Sequence, residues 1–203
     1  GAPWPAHGVG RTRAATGAGG RACGSAPPLR TSQLVLVVTG GPLTERMAGP
    51  AIRAWEIAKA LSSDHEVVLA STVGARVTHP DFEVIAVGWG KRLRKRTDWA
   101  DVIVFQGLFL DLAPWLVDSR TILVADVYDP MHLEQLEQAR DLGSAGRAMA
   151  RRETTRVLNE QPRRADFVPC ASGKPRDFCL WPLAGQGRVN ASGYGEEERL
   201  RSL

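Results

Sequence analysis

Apolar positions along the chain gather into short runs separated by stretches of helical or turn-like pattern. Leu34 to Val38 (LVLVV) is unbroken and ends in Thr39, Gly40 and Gly41. A strand with no polar position requires cover on both faces, as in a parallel sheet flanked by helices, and this run predicts the central first strand. His65–Ser71 (HEVVLAS) predicts a second strand, and Phe82–Val87 (FEVIAV), which alternates more, a third that lies nearer an edge. Val102–Phe105 (VIVF) and Thr121–Ala125 (TILVA) predict the fourth and fifth. Between the first two, Ala51, Trp55, Ala58 and Leu61 share one face of a helix that begins just after Gly49 and Pro50. A short helix over Leu112–Val117 joins the fourth strand to the fifth. Strands alternating with such connections are the pattern of right-handed βαβ units, so the fold class is α/β, an open doubly wound parallel sheet of the Rossmann-like kind.

The pattern weakens beyond residue 130. Leu133–Asp141 predicts a helix, and Ala145–Gln161 a longer one, polar on most sides and hence on the surface, with Met149, Val157 and Leu158 as its apolar anchors. Asp166–Ala171 (DFVPCA) predicts a sixth strand and Ser172–Leu183 a helix behind it. Pro162, Pro169 and Pro182 disfavour regular structure there, because a proline removes a backbone donor and costs ~3 kcal/mol inside a helix. Residues 186–203 form a tail or the start of a linker.

At the other end, 22 of the first 30 residues are Gly, Ala, Arg or Pro. Such a segment buries too little apolar surface to offset its ordering entropy, so disorder is expected over residues 1–30. It opens on Gly1 rather than Met, and we expect it to lie outside the fold. The folded domain is therefore placed at residues 31–185. The same boundary changes the meaning of the charge. The net +4 resides in Arg11, Arg13, Arg21 and Arg30, while residues 31–203 carry 22 basic and 22 acidic groups. A nucleic-acid binder shows its basic footprint in the folded part, so no nucleic-acid partner is expected.

Three cysteines (Cys23, Cys170, Cys179) form no C-x-x-C, which argues against a disulfide framework or structural zinc and for a reducing compartment. No secretory leader precedes residue 30 and no run approaches the roughly 18 apolar residues of a membrane span. The expected location is cytoplasmic. Lys91–Arg96 (KRLRKR) is a basic cluster that reads first as solvated surface and second as a peripheral contact with anionic lipid at the inner membrane face.

Candidate chemistry collects at strand ends, where open α/β sheets bind ligands. After the first strand, Gly40, Gly41, Arg46 and Gly49 compose a glycine loop leading to a helix N-terminus, which offers free N–H groups to a phosphate or carboxylate. The fourth strand ends at Gln106. The fifth is followed by Asp126, Tyr128, Asp129 and His132, two carboxylates, a phenol and an imidazole within seven residues, from which Asp126 and His132 are taken as candidate catalytic groups. Asp129-Pro130 also reads as a plain turn opener. The aspartates are spaced D-V-Y-D, not the D-x-D that holds a cation in metal-dependent nucleotide-sugar enzymes, and no metal is expected.

The ordered set TGGPLTERMAGPAIRAWEIAKAL, DHEVVLAST, ADVIVFQG, TILVADVYDP and RRADFVPCAS resembles the N-terminal domain of family 4 glycosyltransferases, over roughly residues 33–183. The resemblance implies one half of a two-domain GT-B architecture. It further implies retaining, metal-independent sugar transfer from a nucleotide-sugar donor, with no cofactor, to an acceptor held on this half. In that family the second domain grips the nucleotide and carries a glutamate pair, which is not found within these 203 residues, so the chain by itself is expected to be inactive. Many relatives place a histidine just after the fifth strand, where this sequence has A-D-V-Y-D and His132 lies further on.

Two other readings stand beside it. One is a non-catalytic binding domain or a decayed transferase copy. The other is a nicotinamide-dependent oxidoreductase, disfavoured because T-G-G-P-L-T-E-R-M-A-G lacks G-x-G-x-x-G and the second strand ends V-V-L-A-S-T without an acidic residue.

Overall fold

The computed structural model describes residues 32–127, 137–169 and 183–187. Five parallel strands form the sheet: β1 (Leu34–Thr39), β2 (Glu66–Ser71), β3 (Glu83–Ala86), β4 (Val102–Phe105) and β5 (Ile122–Ala125). Their order is β3-β2-β1-β4-β5, a doubly wound Rossmann-like arrangement with β1 at its centre. The first five predicted strands are present with their ends within one residue. The alternating third strand does lie at the edge, and β1, apolar up to its closing Thr39, is buried on both sides.

The two faces have separate cores. Helix α1 (Gly49–Leu61) covers one face, setting Ala51, Ala54 and Ala58 against Val35, Val37 and Leu69. Its fully buried positions are all alanine, which lets the helix sit close to the strands, while Trp55, Ile57 and Leu61 pack at the margin. The other face is covered by α2 (Lys91–Trp99), α3 (Phe109–Leu112) and the 3-10 turn Pro114–Leu116, whose Leu93, Phe109 and Leu116 pack with Leu36, Ile103 and Phe105. A strand order that reverses direction at β1 requires this change of face, since right-handed crossovers running opposite ways emerge on opposite sides.

Helix α2 is the basic cluster, which the sequence presents only as a charge run. Its sole wholly apolar inward residue is Leu93, fully buried one turn before buried Thr97, while Lys91, Arg92, Arg94 and Lys95 face solvent.

Helix α4 (Ser144–Arg164) is longer than expected and runs on through Pro162. Met149, expected as an anchor, is 77% exposed, whereas Thr154, Gln161 and Pro162 are buried. The helix is fastened by polar contacts: Arg156 Nη2 donates to Asp111 Oδ2 (2.6 Å), Arg164 Nη2 to the carbonyls of Leu116 (2.8 Å) and Ser119 (3.1 Å), and Gln161 Nε2 to the Gly107 carbonyl. Those guanidinium bonds hold the last turn in place after Pro162 has removed one helical donor.

The expected sixth strand is reduced, over its described residues, to a single parallel bridge between Phe167 and Val124. Pro169 has no N–H to extend the ladder. The side chains of Val157 and Leu158, the first four residues of the helix expected at Leu133–Asp141, the helix expected at Ser172–Leu183 apart from its last residue, residues 1–30, and all three cysteines lie outside the described residues. No helix among the described residues is long and apolar enough to cross a membrane.

Candidate functional site

β1, β4 and β5 end side by side, and each leaves a polar residue at its carboxyl end. Thr39 closes β1, Gln106 follows β4 and Asp126 follows β5. They form one chain of hydrogen bonds: Gln106 Nε2 donates to Asp126 Oδ2 (2.9 Å), the Thr39 hydroxyl to Gln106 Oε1 (3.2 Å), and the Gly41 N–H to Thr39 Oγ1 (3.2 Å). Arg53 on α1 completes the chain, donating from Nε to both carboxylate oxygens (2.9 and 2.8 Å) and from Nη2 to Oδ1 (2.7 Å). The Asp126 side chain is 0% exposed and that of Arg53 27%. A carboxylate out of water needs such a partner, and a guanidinium engaging both oxygens is the strongest available. The network thus pins α1 to the three strand ends from one side.

Above it opens a cleft of about 510 Å³. Gly40, Gly41 and Pro50 form one wall, Gln106 and Asp126 part of the floor, and Gln161 reaches in from α4. Trp89, Val73, Leu108 and Leu112 stand at the rim, all substantially exposed. The carboxyl end of the sheet is therefore an open apolar mouth over a polar floor whose groups are bonded to one another.

Of the residues singled out from sequence, Gly40, Gly41, Gln106 and Asp126 come together in this cleft. Arg46 and Gly49 do not line it. Arg46 is exposed, and its carbonyl accepts from the Thr44 hydroxyl (2.8 Å). The reason is that the loop after β1 is strapped sideways toward β2. Leu43 is fully buried and bridges to Ala75, with Leu43 N–H to Gly74 O (2.9 Å) and Arg76 N–H to Leu43 O (2.8 Å). The loop consequently does not wrap around a phosphate.

Gly41 is glycine for close approach rather than for a left-handed backbone. A Cβ there would sit 3.1 Å from the Ala51 Cβ of α1. Asp126, taken as a candidate catalytic group, has both oxygens engaged by Arg53 and Gln106 and acts as the brace of the site. Tyr128, Asp129 and His132 lie outside the described residues.

Sequence reasoning passed over Arg53, Thr39 and Gln161. The signal for Arg53 was a cation placed two positions after an inward alanine on the helix facing the strand ends, opposite an aspartate that needed a partner. Thr39 and Gln161 carried no comparable signal. On α2, Arg96 pairs with Glu83 (2.8 Å) and Arg94 lies 4.0 Å from Asp98 and over the Trp115 ring, leaving Lys91, Arg92 and Lys95 as the outward cations. No group of three or more His, Cys, Asp or Glu among the described residues could hold a metal ion.

No protein-family model and no curated protein matches the chain. Among solved structures, it is similar to the C-terminal domain of the coenzyme A biosynthesis bifunctional protein CoaBC (11% identity, 55% of this chain and 70% of that one, TM-score 0.36). It is also similar to a wide-type short-chain dehydrogenase/reductase from Veillonella parvula DSM 2008 in complex with NADP (13% identity, 68% and 67%, TM-score 0.40). A third likeness is to a DNA/pantothenate metabolism flavoprotein from Streptococcus pneumoniae (14% identity, 68% and 80%, TM-score 0.35). None of these three is a glycosyltransferase. The fold class stands on the strand order itself, and identities and overlaps this low support nothing about function.

Proposed function

We propose that this domain is the acceptor-side half of a nucleotide-sugar-dependent glycosyltransferase, retaining and metal-independent, with the donor gripped by a second domain facing the carboxyl ends of the strands. The observation that supports this reading is the open cleft. Its floor is polar and locked, and its rim bears four exposed apolar side chains, Val73, Trp89, Leu108 and Leu112. Large exposed apolar groups gathered at one mouth indicate a surface that meets something else. The ordered motifs from TGGPLTER to RRADFVPCAS supply the transferase part of the reading.

Catalysis in such an architecture needs groups from both walls held at fixed distances, so one wall alone does not perform it. The isolated chain should bind UDP- and GDP-sugars no more tightly than about millimolar, because charge contacts on an open face are each worth about 1 kcal/mol or less in water. Calorimetry and a transfer assay on the 203 residues test this. Micromolar affinity or turnover would overturn the half-site reading. Amide NMR separates sugar transfer from hydride transfer: NADPH should leave Gly41, Gly107 and Val127 unshifted. The reverse would favour an oxidoreductase.

Peripheral contact with an anionic membrane surface through Lys91, Arg92 and Lys95 is part of the same proposal, supported by their outward position on α2.

A further inference from the structure

We infer that the acceptor held in this cleft is an uncharged, hydroxyl-bearing molecule with a flat apolar body, and not a phosphorylated one; the inference rests on the acceptor-side reading above and names its substrate class. Three features of the cleft carry it.

First, the helix N-terminus at the cleft is poorly equipped for an anion. α1 has no side-chain cap and its second residue, Pro50, is the one that lines the cleft. Proline contributes no N–H. Ala51, next in the first turn, is fully buried beneath Gly41, and Ile52 N–H is already bonded to Ala48 O (3.0 Å). An oxyanion needs N–H groups aimed at it, and this turn presents Gly49 alone, outside the cleft.

Second, the one charged side chain among the described residues lining the cleft is Asp126, a carboxylate. Its charge is balanced by Arg53 from the far side, so the cleft itself gains no positive wall. A phosphate monoester entering here would shed water without finding a cation, which is strongly unfavourable.

Third, the rim holds an aromatic platform. Trp89 is 50% exposed and stands between Gly88 (φ 57°) and Gly90 (φ 90°), two left-handed positions that only glycine adopts at low cost. The turn carries Trp89 to the mouth of the cleft that Leu108 and Leu112 also line. A flat ring can stack there with an edge toward the polar floor, where Gln106 and the Gly107 backbone meet a hydroxyl.

The test uses a matched pair, 2-naphthol and 2-naphthyl phosphate, titrated by calorimetry into the full chain and into Trp89→Ala and Trp89→Phe. Naphthol should bind at least about tenfold more tightly than its phosphate ester. Trp89→Ala should weaken naphthol about fivefold and Trp89→Phe restore most of the loss, as ring stacking requires. Because Trp89 is at the rim, the urea midpoints of both variants should equal that of the parent. Equal or tighter binding of the phosphate ester, absence of naphthol binding, or naphthol affinity indifferent to Trp89→Ala would each overturn the inference. Preference for the ester would leave the transferase reading intact. A cleft shifted by NADPH would remove that reading while leaving the naphthol preference measurable.

Discussion

Replacing Arg53 with leucine should be among the most damaging single changes in this domain. The Asp126 carboxylate has no exposure, and in the parent it receives three guanidinium contacts within 2.9 Å and one from Gln106. Arg53→Leu leaves a buried carboxylate with one neutral donor. Breaking a buried pair from one side costs about 3–5 kcal/mol, chiefly as the penalty of the stranded charge. Asp126→Leu removes the buried charge itself and leaves a guanidinium that is already 27% exposed, so about 1–2 kcal/mol is expected. The double leucine variant should recover part of the Arg53→Leu loss. Urea unfolding followed by circular dichroism measures all four proteins, with m-values showing whether the unfolding transition is unchanged. For a chain of this size each kcal/mol moves Tm by about 2–4 °C, so the two single variants should separate by several degrees. If the two singles cost the same and their effects add in the double, with coupling below about 0.5 kcal/mol, the brace does not exist as described.

Gly41→Val should lose about 1–3 kcal/mol in urea unfolding, because its Cβ meets Ala51 at 3.1 Å on a helix that cannot swing aside, while Gly40→Ala, with nothing within 4 Å, should be nearly neutral; equal effects would mean the loop yields freely. Leu93→Ala should cost about 2–5 kcal/mol as the one large buried anchor of α2. A loss under about 1 kcal/mol would show that α2 is held by its charges instead. Cosedimentation with vesicles containing anionic lipid should fall when Lys91, Arg92 and Lys95 are changed to glutamate. Failure of the parent to pellet at low salt would end the membrane proposal.

The sheet was legible because its strands are nearly pure in type. LVLVV, EVVLAS and VIVF are short, rich in β-branched residues and bounded by turn residues, which together mark buried strands. α2 was missed because K-R-L-R-K-R-T-D-W buries one leucine and one threonine, too few positions for an apolar period to show. α4 was foreseen, but its fastening was not: Arg156, Gln161 and Arg164 bond to side-chain and backbone oxygens that only tertiary structure brings near. The site divided in the same way. That Gly41, Gln106 and Asp126 share a cleft was legible because strand ends locate them, whereas the sideways course of the loop depends on the Leu43–Ala75 bridge, a contact between distant segments. Glycines there promised a phosphate cradle, and the structure uses Gly41 to bring helix and loop together.

The central position of β1 has a consequence for the birth of the protein. One edge of β1 is paired by β2, which follows soon after, but the other waits for β4, some 67 residues downstream. At translation rates of about 5–20 residues per second, that edge stands open for roughly 3–13 s on the ribosome. It is a run of five apolar residues with no charge and no proline, the composition that most readily pairs with a stranger's strand. Early association of α1 shields one face of this ribbon but neither of its hydrogen-bonding edges. Whatever delays the arrival of β4, whether slow codons between residues 72 and 101 or a weakened α2, lengthens the interval in which nascent chains can join to one another. The yield of soluble protein should then fall even where the finished fold is as stable as before.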